Sequence, residues 1–114
     1  MTVTIYHNPN CSNSRKALEI IRARGIEPRI VEYLKTPPTP QELWHLIREK
    51  LKVPVRDVMR TQEAAYSDMK LDDADDDTLM AAIAAHPILL NRPIVVTTKG
   101  AKLCRPGEMV EELL

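Results

Sequence analysis

One cysteine stands where the chain could build a reactive thiol. Cys11 follows a short alternating apolar stretch at residues 2–6 and precedes three small polar residues at 12–14. Apolar side chains then recur at helical spacing over residues 17–21, so Cys11 should lie where a strand gives way to a helix. Free N–H groups and the dipole at a helix start favour negative charge and lower a thiol pKa. The pattern predicts a nucleophilic thiolate, although most free cysteines are inert core residues.

Polar and cationic groups flank this cysteine on both sides. Ser14 and its polar neighbours can cap the helix, or donate hydrogen bonds to a thiolate or to a bound oxyanion. His7 and Arg15 add donor or cationic groups before and after Cys11. This segment is therefore a candidate anion site as well as a candidate nucleophile.

Three further arginines lie at predicted element junctions, where folds often place functional groups: Arg60, Arg92 and Arg105. A tetrahedral oxyanion needs several forked donors, and guanidinium groups match its oxygens better than lysine does. Taken singly, each arginine is more often a solvated surface residue. Their spacing alone does not establish that they converge on Cys11.

The other residues that could do chemistry are expected to have structural or surface roles. Pro93 precedes a strand that should run beside the first, and although X-Pro bonds are usually trans, the fold favours a cis bond there. Cys104 is expected in the core, and His45 and His86 are expected to be structural or exposed. The five aspartates within residues 72–77 lack the glycine and glutamate of an EF-hand loop, so no metal site is predicted.

The order of elements predicts one α/β domain over residues 1–114. Apolar runs and turn signals give a βαβ opening with parallel strands, a mainly helical insertion at about residues 40–86, and a ββα ending. Residues 30–34 form the second predicted strand, and residues 39–42 carry a capping-box pattern before a helix. The result is a thioredoxin-like mixed sheet with one antiparallel pair.

Composition narrows the functional classes. Acidic and basic residues balance at 16 each, which gives no reason to expect nucleic acid or an anionic membrane as a partner. No segment reads as a signal peptide or a membrane span, so a cytoplasmic protein is expected. Two widely separated cysteines suggest no disulfide framework and suit a reducing compartment.

Residues 7–15 read His-Asn-Pro-Asn-Cys-Ser-Asn-Ser-Arg, which resembles the His-x3-Cys-x3-Arg signature of the glutathione/glutaredoxin-linked arsenate reductases of the ArsC family. The resemblance continues through residues 33–34 with the prolines after them, residues 55–60 and residues 86–96. It reaches residues 103–106 and so covers nearly the whole chain.

The resemblance implies roles for individual residues. Cys11 matches the nucleophile, His7 the residue that helps to keep it ionised, and Pro93 the cis-proline. The anion-binding triad of the family is matched by three residues: Arg60, Arg92 and Arg105.

It also implies a reaction. The Cys11 thiolate would attack arsenate to form a covalent cysteine–arsenic intermediate, with glutathione as co-substrate and glutaredoxin as the partner that resolves it and releases arsenite. No bound cofactor or metal is needed. Ser14 stands three residues after Cys11, so there is no Cys-x-x-Cys pair, and an external thiol donor is favoured.

Three alternatives remain open, and one is an inactive relative of the arsenate reductases. A related thioredoxin-like, thiol-dependent reductase could act on another substrate, although the arginines argue against this. A Spx-like regulator that binds RNA polymerase would need a partner surface rather than an anion site. Many such regulators carry a Cys-x-x-Cys switch, which this chain lacks.

Overall fold

A four-stranded mixed sheet is built from both ends of the chain in this computed structural model, which describes residues 1–114. Strand β1 (Thr4–Tyr6) pairs in parallel with β2 (Arg29–Val31) and antiparallel with β3 (Ile94–Thr97). The β3–β4 hairpin, with β4 at Gly100–Leu103, completes the order β2-β1-β3-β4. The mixed α/β, thioredoxin-like class is confirmed. The strand after Pro93 lies beside β1, as expected, but the expectation of one antiparallel pair is wrong, because β3 pairs antiparallel with β1 as well as with β4.

The chain divides into two units. The first contains Met1–Thr36 and Arg92–Leu114 and carries the whole sheet, and the second is the helical segment Pro37–Asn91. The predicted helical stretch at about residues 40–86 falls within the second unit. That all 114 residues act as one domain stays a prediction.

The core of the first unit lies between the sheet, helix α1 (Ser12–Ala23) and a final 3₁₀ helix (Gly107–Leu113). The apolar residues of α1 recur on one face, so the helix buries that face. Gly25 follows the helix with a φ of 76°, a left-handed conformation that glycine adopts without strain. The buried core residues are Val3, Ile5, Ala17, Ile21, Val95, Cys104, Val110 and Leu113.

The second predicted strand is too long. Strand β2 ends at Val31, and residues 33–34 lie in a turn. The amides of Lys35 and Thr36 both donate to the carbonyl of Glu32, at 2.9 Å each, which closes that turn before two prolines. Tyr33 is buried there, so its apolar character reflects burial rather than sheet pairing.

The second unit is a succession of short helices. Helix α2 (Pro40–Trp44) begins at the predicted capping box: the Glu42 amide donates to Thr39 Oγ1, and the Thr39 amide donates to Glu42 Oε1, both at 3.1 Å. Chain order then gives a π-helical turn (His45–Leu51), a 3₁₀ helix (Val55–Val58), α3 (Ala64–Asp68), a 3₁₀ turn (Leu71–Asp73), α4 (Asp76–Ala85) and a 3₁₀ turn (Pro87–Leu89).

The aspartate run serves the helices of this unit. Asp75 accepts from the Thr78 amide at 2.8 Å and so caps α4, while Asp76 forms an ion pair with Arg48. Arg56 ties down the segment before α4, because its guanidinium donates to three backbone carbonyls between residues 71 and 74. The structure contains no group of His, Cys, Asp or Glu side chains able to hold a metal ion.

Trp44 lies at the end of α2 with 46% of its surface exposed. It lines an open groove of about 470 Å³ together with Pro40, Gln41, Asp77 and Met80. This groove belongs entirely to the second unit. No helix in the structure is both long enough and apolar enough to cross a bilayer.

Replacing Thr39 by Ala should destabilise the protein by about 1 kcal/mol, because it removes the oxygen that accepts from the first turn of α2. Urea unfolding would measure this as a lower midpoint. Thr2→Ala, at an exposed position outside any element, is the matched control and should leave the midpoint unchanged. Equal midpoints for both variants would show that the capping box contributes little.

Candidate active site

The Cys11 thiol lies at the start of α1, as predicted. Cys11 is the N-cap residue, with extended backbone angles, and its carbonyl accepts the first helical hydrogen bond from the Arg15 amide at 3.0 Å. Its own amide donates to the carbonyl of Asn8 at 3.0 Å, which closes the preceding loop. Only 7% of the residue is exposed. The thiol therefore faces free N–H groups of the first helical turn while most of its surface is shielded from water.

Ser14 joins this loop to the helix. It is fully buried, and its hydroxyl shares a hydrogen bond of 2.6 Å with His7 Nδ1 and accepts from the Asn8 amide at 3.0 Å. Its backbone N–H acts on Cys11 as well and lowers the pKa of that thiol. One serine thus fixes the histidine, the loop and the thiol relative to one another.

Arg105 reaches the thiol from the other end of the chain. Its Nη1 lies 3.8 Å from Cys11 Sγ, within hydrogen-bonding distance for sulfur, and also donates to the Arg92 carbonyl at 3.0 Å. Arg105 is otherwise exposed, so the guanidinium meets both the thiol and solvent. Arg92 contributes positive charge close enough to act on Cys11. Of the three predicted arginines, Arg105 therefore contacts the thiol and Arg92 acts on it through its charge.

The balance of these interactions lowers the pKa of Cys11. Burial is the largest influence and acts to raise the pKa. It is opposed by the Ser14 N–H, the charge of Arg92, the Asn13 N–H and the hydrogen bond from Arg105, in that order. Together these outweigh burial, so the pKa falls below its ordinary value. The thiolate is favoured by local donors and cations.

His7 is buried, and this burial is the main reason why its pKa is lowered. The charge of Glu32 acts to raise that pKa, whereas Arg22 and Arg15 act to lower it. A neutral imidazole is therefore favoured at neutral pH. His7 is hydrogen-bonded to the Ser14 side chain, and the Ser14 backbone N–H lowers the pKa of Cys11. His7 can therefore influence the thiol through Ser14.

The remaining candidate residues occupy different places. Arg15 is exposed and donates from Nη1 to the Pro9 carbonyl at 2.9 Å, so it braces the loop before Cys11. Arg60 belongs to the second unit and forms an ion pair with Glu63 at 2.6 Å. Its part in an anion site with the other arginines stays a prediction.

Two cis peptide bonds flank the region. The Arg92–Pro93 bond is cis, as expected, and the Arg105–Pro106 bond is cis as well, which sequence reasoning missed. Sequence reasoning also missed a contact beyond Pro106: the Gly107 amide donates to Asn13 Oδ1 at 3.2 Å. An asparagine in the first turn of a helix has many local uses, so no signal in the sequence pointed to residue 107.

The second cysteine and the other histidines behave as expected. Cys104 is fully buried in the core of the first unit, and burial raises its pKa to about 12. It is therefore a packed, protonated thiol. His45 pairs with Glu49 on the surface at 3.0 Å, and His86 is exposed at the end of α4.

Comparison with known proteins shows which family this chain belongs to. The ArsC family model matches residues 6–113 of the chain. The arsenate reductase of Escherichia coli (strain K12) is 49% identical over 114 residues, which cover 98% of this chain and 80% of that protein. The chain belongs to the ArsC family. The family expected from residues 7–15 is thereby confirmed.

Further ArsC-family relatives match over similar lengths. The arsenate reductase of Rhizobium meliloti (strain 1021) is 47% identical over 116 residues, which cover all of this chain and 82% of that protein. The structure of an arsenate reductase from Vibrio cholerae superposes with a TM-score of 0.94 at 44% identity, covering 100% of this chain and 98% of that chain. The thioredoxin-like ArsC fold therefore extends over the whole chain.

Arg105→Ala should raise the pKa of Cys11, because it removes a hydrogen bond to the thiolate. Alkylation by iodoacetamide should then require a higher pH and be slower at pH 7 by roughly 3- to 10-fold. The pH dependence of Cys11 labelling, followed by mass spectrometry, measures this.

Arg24→Ala removes a guanidinium at the opposite end of α1 and should leave the profile unchanged. Cys104 should stay unlabelled in every folded variant. An Arg105→Ala profile that overlays the original would contradict the assignment of this contact.

Proposed function

We propose that this protein is an arsenate reductase in which Cys11 is the nucleophile. The observation that carries the proposal is the Cys11 thiol at the start of α1, with Arg105 Nη1 3.8 Å away and its pKa lowered against the effect of burial. Relatives named arsenate reductase that are nearly half identical to this chain support arsenate as the substrate.

Arsenate would bind where the helix start and the guanidinium groups meet. Arg105 and Arg92 supply positive charge and forked donors beside the thiol, and the first turn of α1 supplies N–H groups. Arg60 remains the third anion-binding residue that the family resemblance implies, and Ser14 and Arg15 shape the loop that receives the anion.

The proposed chemistry begins with attack of Cys11 Sγ on arsenic, which forms a sulfur–arsenic bond and expels one oxygen as water. The arginines spread the negative charge that develops on the oxygens. Overall, arsenate and two glutathione thiols yield arsenite, glutathione disulfide and water, so arsenic gains the two electrons that the thiols lose. His7, through Ser14, helps to hold the attacking sulfur as a thiolate.

Glutathione is the proposed co-substrate, and glutaredoxin the proposed partner that resolves the covalent intermediate and so allows arsenite to be released. The support lies in the cysteine placement: residue 14 is a serine, and Cys104 is fully buried with a pKa of about 12. A protonated core thiol is a poor attacking group in thiol–disulfide exchange. These donors imply a reducing compartment, the cytoplasm, as the site of the reaction.

The decisive experiment measures arsenite formed from arsenate by the purified protein with glutathione and glutaredoxin. Turnover should occur with the unmodified chain and disappear in Cys11→Ser, because a serine hydroxyl stays protonated where the thiol ionises. Cys104→Ser is the matched control and should retain activity. Loss of turnover in both cysteine variants, each still folded, would point to a pair of redox cysteines and against the external donor.

Arg92→Ala should reduce kcat/KM for arsenate by roughly 10- to 100-fold, since it removes a charge-assisted contact to the oxyanion. Steady-state kinetics over a range of arsenate concentrations measures the change. Arg29→Ala removes an exposed arginine at the start of β2, paired in register with Thr4 at the end of β1 away from Cys11, and should leave kcat/KM unchanged. Unaltered kinetics in Arg92→Ala would remove Arg92 from the site.

A further inference from the structure

The segment that carries Arg105 is fastened to the start of α1 by a side chain that no motif identified. The Gly107 amide, two residues after Arg105, donates to Asn13 Oδ1 at 3.2 Å. Asn13 is two residues after Cys11, in the first turn of the same helix. This hydrogen bond therefore joins the same two segments as the Cys11–Arg105 contact, two residues farther along each of them.

Backbone packing at Gly107 shows how closely the two segments approach. A Cβ atom built on Gly107 would lie 2.5 Å from the Asn13 carbonyl oxygen and 3.1 Å from the Ala17 amide nitrogen. Gly107 is buried, whereas Arg105 and Pro106 before it are exposed. The segment therefore packs directly against α1 at Gly107, and the Arg105 side chain reaches the Cys11 thiol from two residues earlier.

Other contacts of this segment lie on either side of the Asn13–Gly107 bond. Thr97 Oγ1 donates to the Leu113 carbonyl at 2.9 Å, and Lys102 forms an ion pair with Glu112 at 2.7 Å. These contacts hold the end of the final 3₁₀ helix on the hairpin. Near Arg105, the Cys104 amide donates to the Pro93 carbonyl at 2.8 Å and Arg105 donates to the Arg92 carbonyl, whereas the bond to Asn13 joins the segment to α1.

We propose that Asn13 is a positioning residue whose side-chain amide, through Gly107, holds the Arg105 guanidinium on the Cys11 thiolate. Its backbone N–H acts on the thiol directly, while its side chain acts through Arg105. This inference deepens the proposed function, on which its consequence for arsenate rests. Its effect on the thiol does not depend on the substrate.

Asn13→Ala keeps the backbone donor of residue 13 and removes only the acceptor for Gly107. Arg105 should then spend less time on the thiolate, so the pKa of Cys11 should rise. Alkylation of Cys11 at pH 7 should slow by about threefold. The measurement is the pH profile of iodoacetamide labelling at Cys11, with circular dichroism to confirm folding.

A double-mutant comparison separates this role from a merely structural one. If Asn13 acts through Arg105, the variant with both Asn13→Ala and Arg105→Ala should have the same pH profile as Arg105→Ala alone. Shifts that add in the double variant, or an unchanged profile in Asn13→Ala, would overturn the proposal.

Asn13→Asp provides the conservative variant, because it retains an oxygen that can accept from Gly107. Its added charge acts on the thiol directly, so the informative quantity is the shift that Arg105→Ala causes in each background. That shift should persist with Asp at position 13 and become smaller with Ala. A shift lost in both backgrounds would show that the amide oxygen is not what positions Arg105.

The labelling assay contains no arsenate, so the two proposals fail separately. A protein that follows the expected labelling pattern but produces no arsenite would retain the role of Asn13 and lose the proposed reaction. With activity present, Asn13→Ala should also raise KM for arsenate, and this increase should disappear in the Arg105→Ala background.

Discussion

The site depends on holding a negative sulfur where most of its surface is shielded from water. Burial alone would keep Cys11 protonated, and the pKa is lowered only because backbone donors of α1 and two guanidinium groups outweigh that effect. The donors come from one turn of helix, but Arg92 and Arg105 come from the opposite end of the chain. The sheet is what brings them together, since β1 leads into Cys11 and its partner β3 follows directly after Arg92.

Two other elements of the first unit help to stabilise the Cys11 thiolate: the loop held by Ser14 and the segment that carries Arg105. Ser14 supplies an N–H to the thiol and a hydroxyl to His7, so the loop before the helix is fixed by the helix itself. The final 3₁₀ helix packs on α1, and Arg105, just before this helix, lies beside the Cys11 thiol. The second cysteine illustrates the contrast: Cys104 is more deeply buried than Cys11 and lacks those donors, and its pKa rises to about 12. Deeper burial and the missing donors together distinguish the two thiols.

Much of this could be read from sequence where the signals are local. A helix start is marked by apolar periodicity and polar capping residues within a few positions, which is why Cys11, α1 and the Thr39 capping box were predicted correctly. The second strand was predicted to run to residue 34, although β2 ends at Val31, because a buried tyrosine in a turn has the same apolar character as one in a strand. The Asn13–Gly107 bond joins residues 94 positions apart, and neither residue type reveals the other.

The placement of Trp44 makes the two units distinguishable by spectroscopy. It is the only tryptophan in the chain, and it lies half exposed in the helical unit, whereas Cys11 and its donors belong to the sheet-bearing unit. Indole emission therefore reports on the helical unit, and thiol titration reports on the other. Melting followed by both signals in one sample would reveal whether the units unfold in a single cooperative transition or in two separate ones.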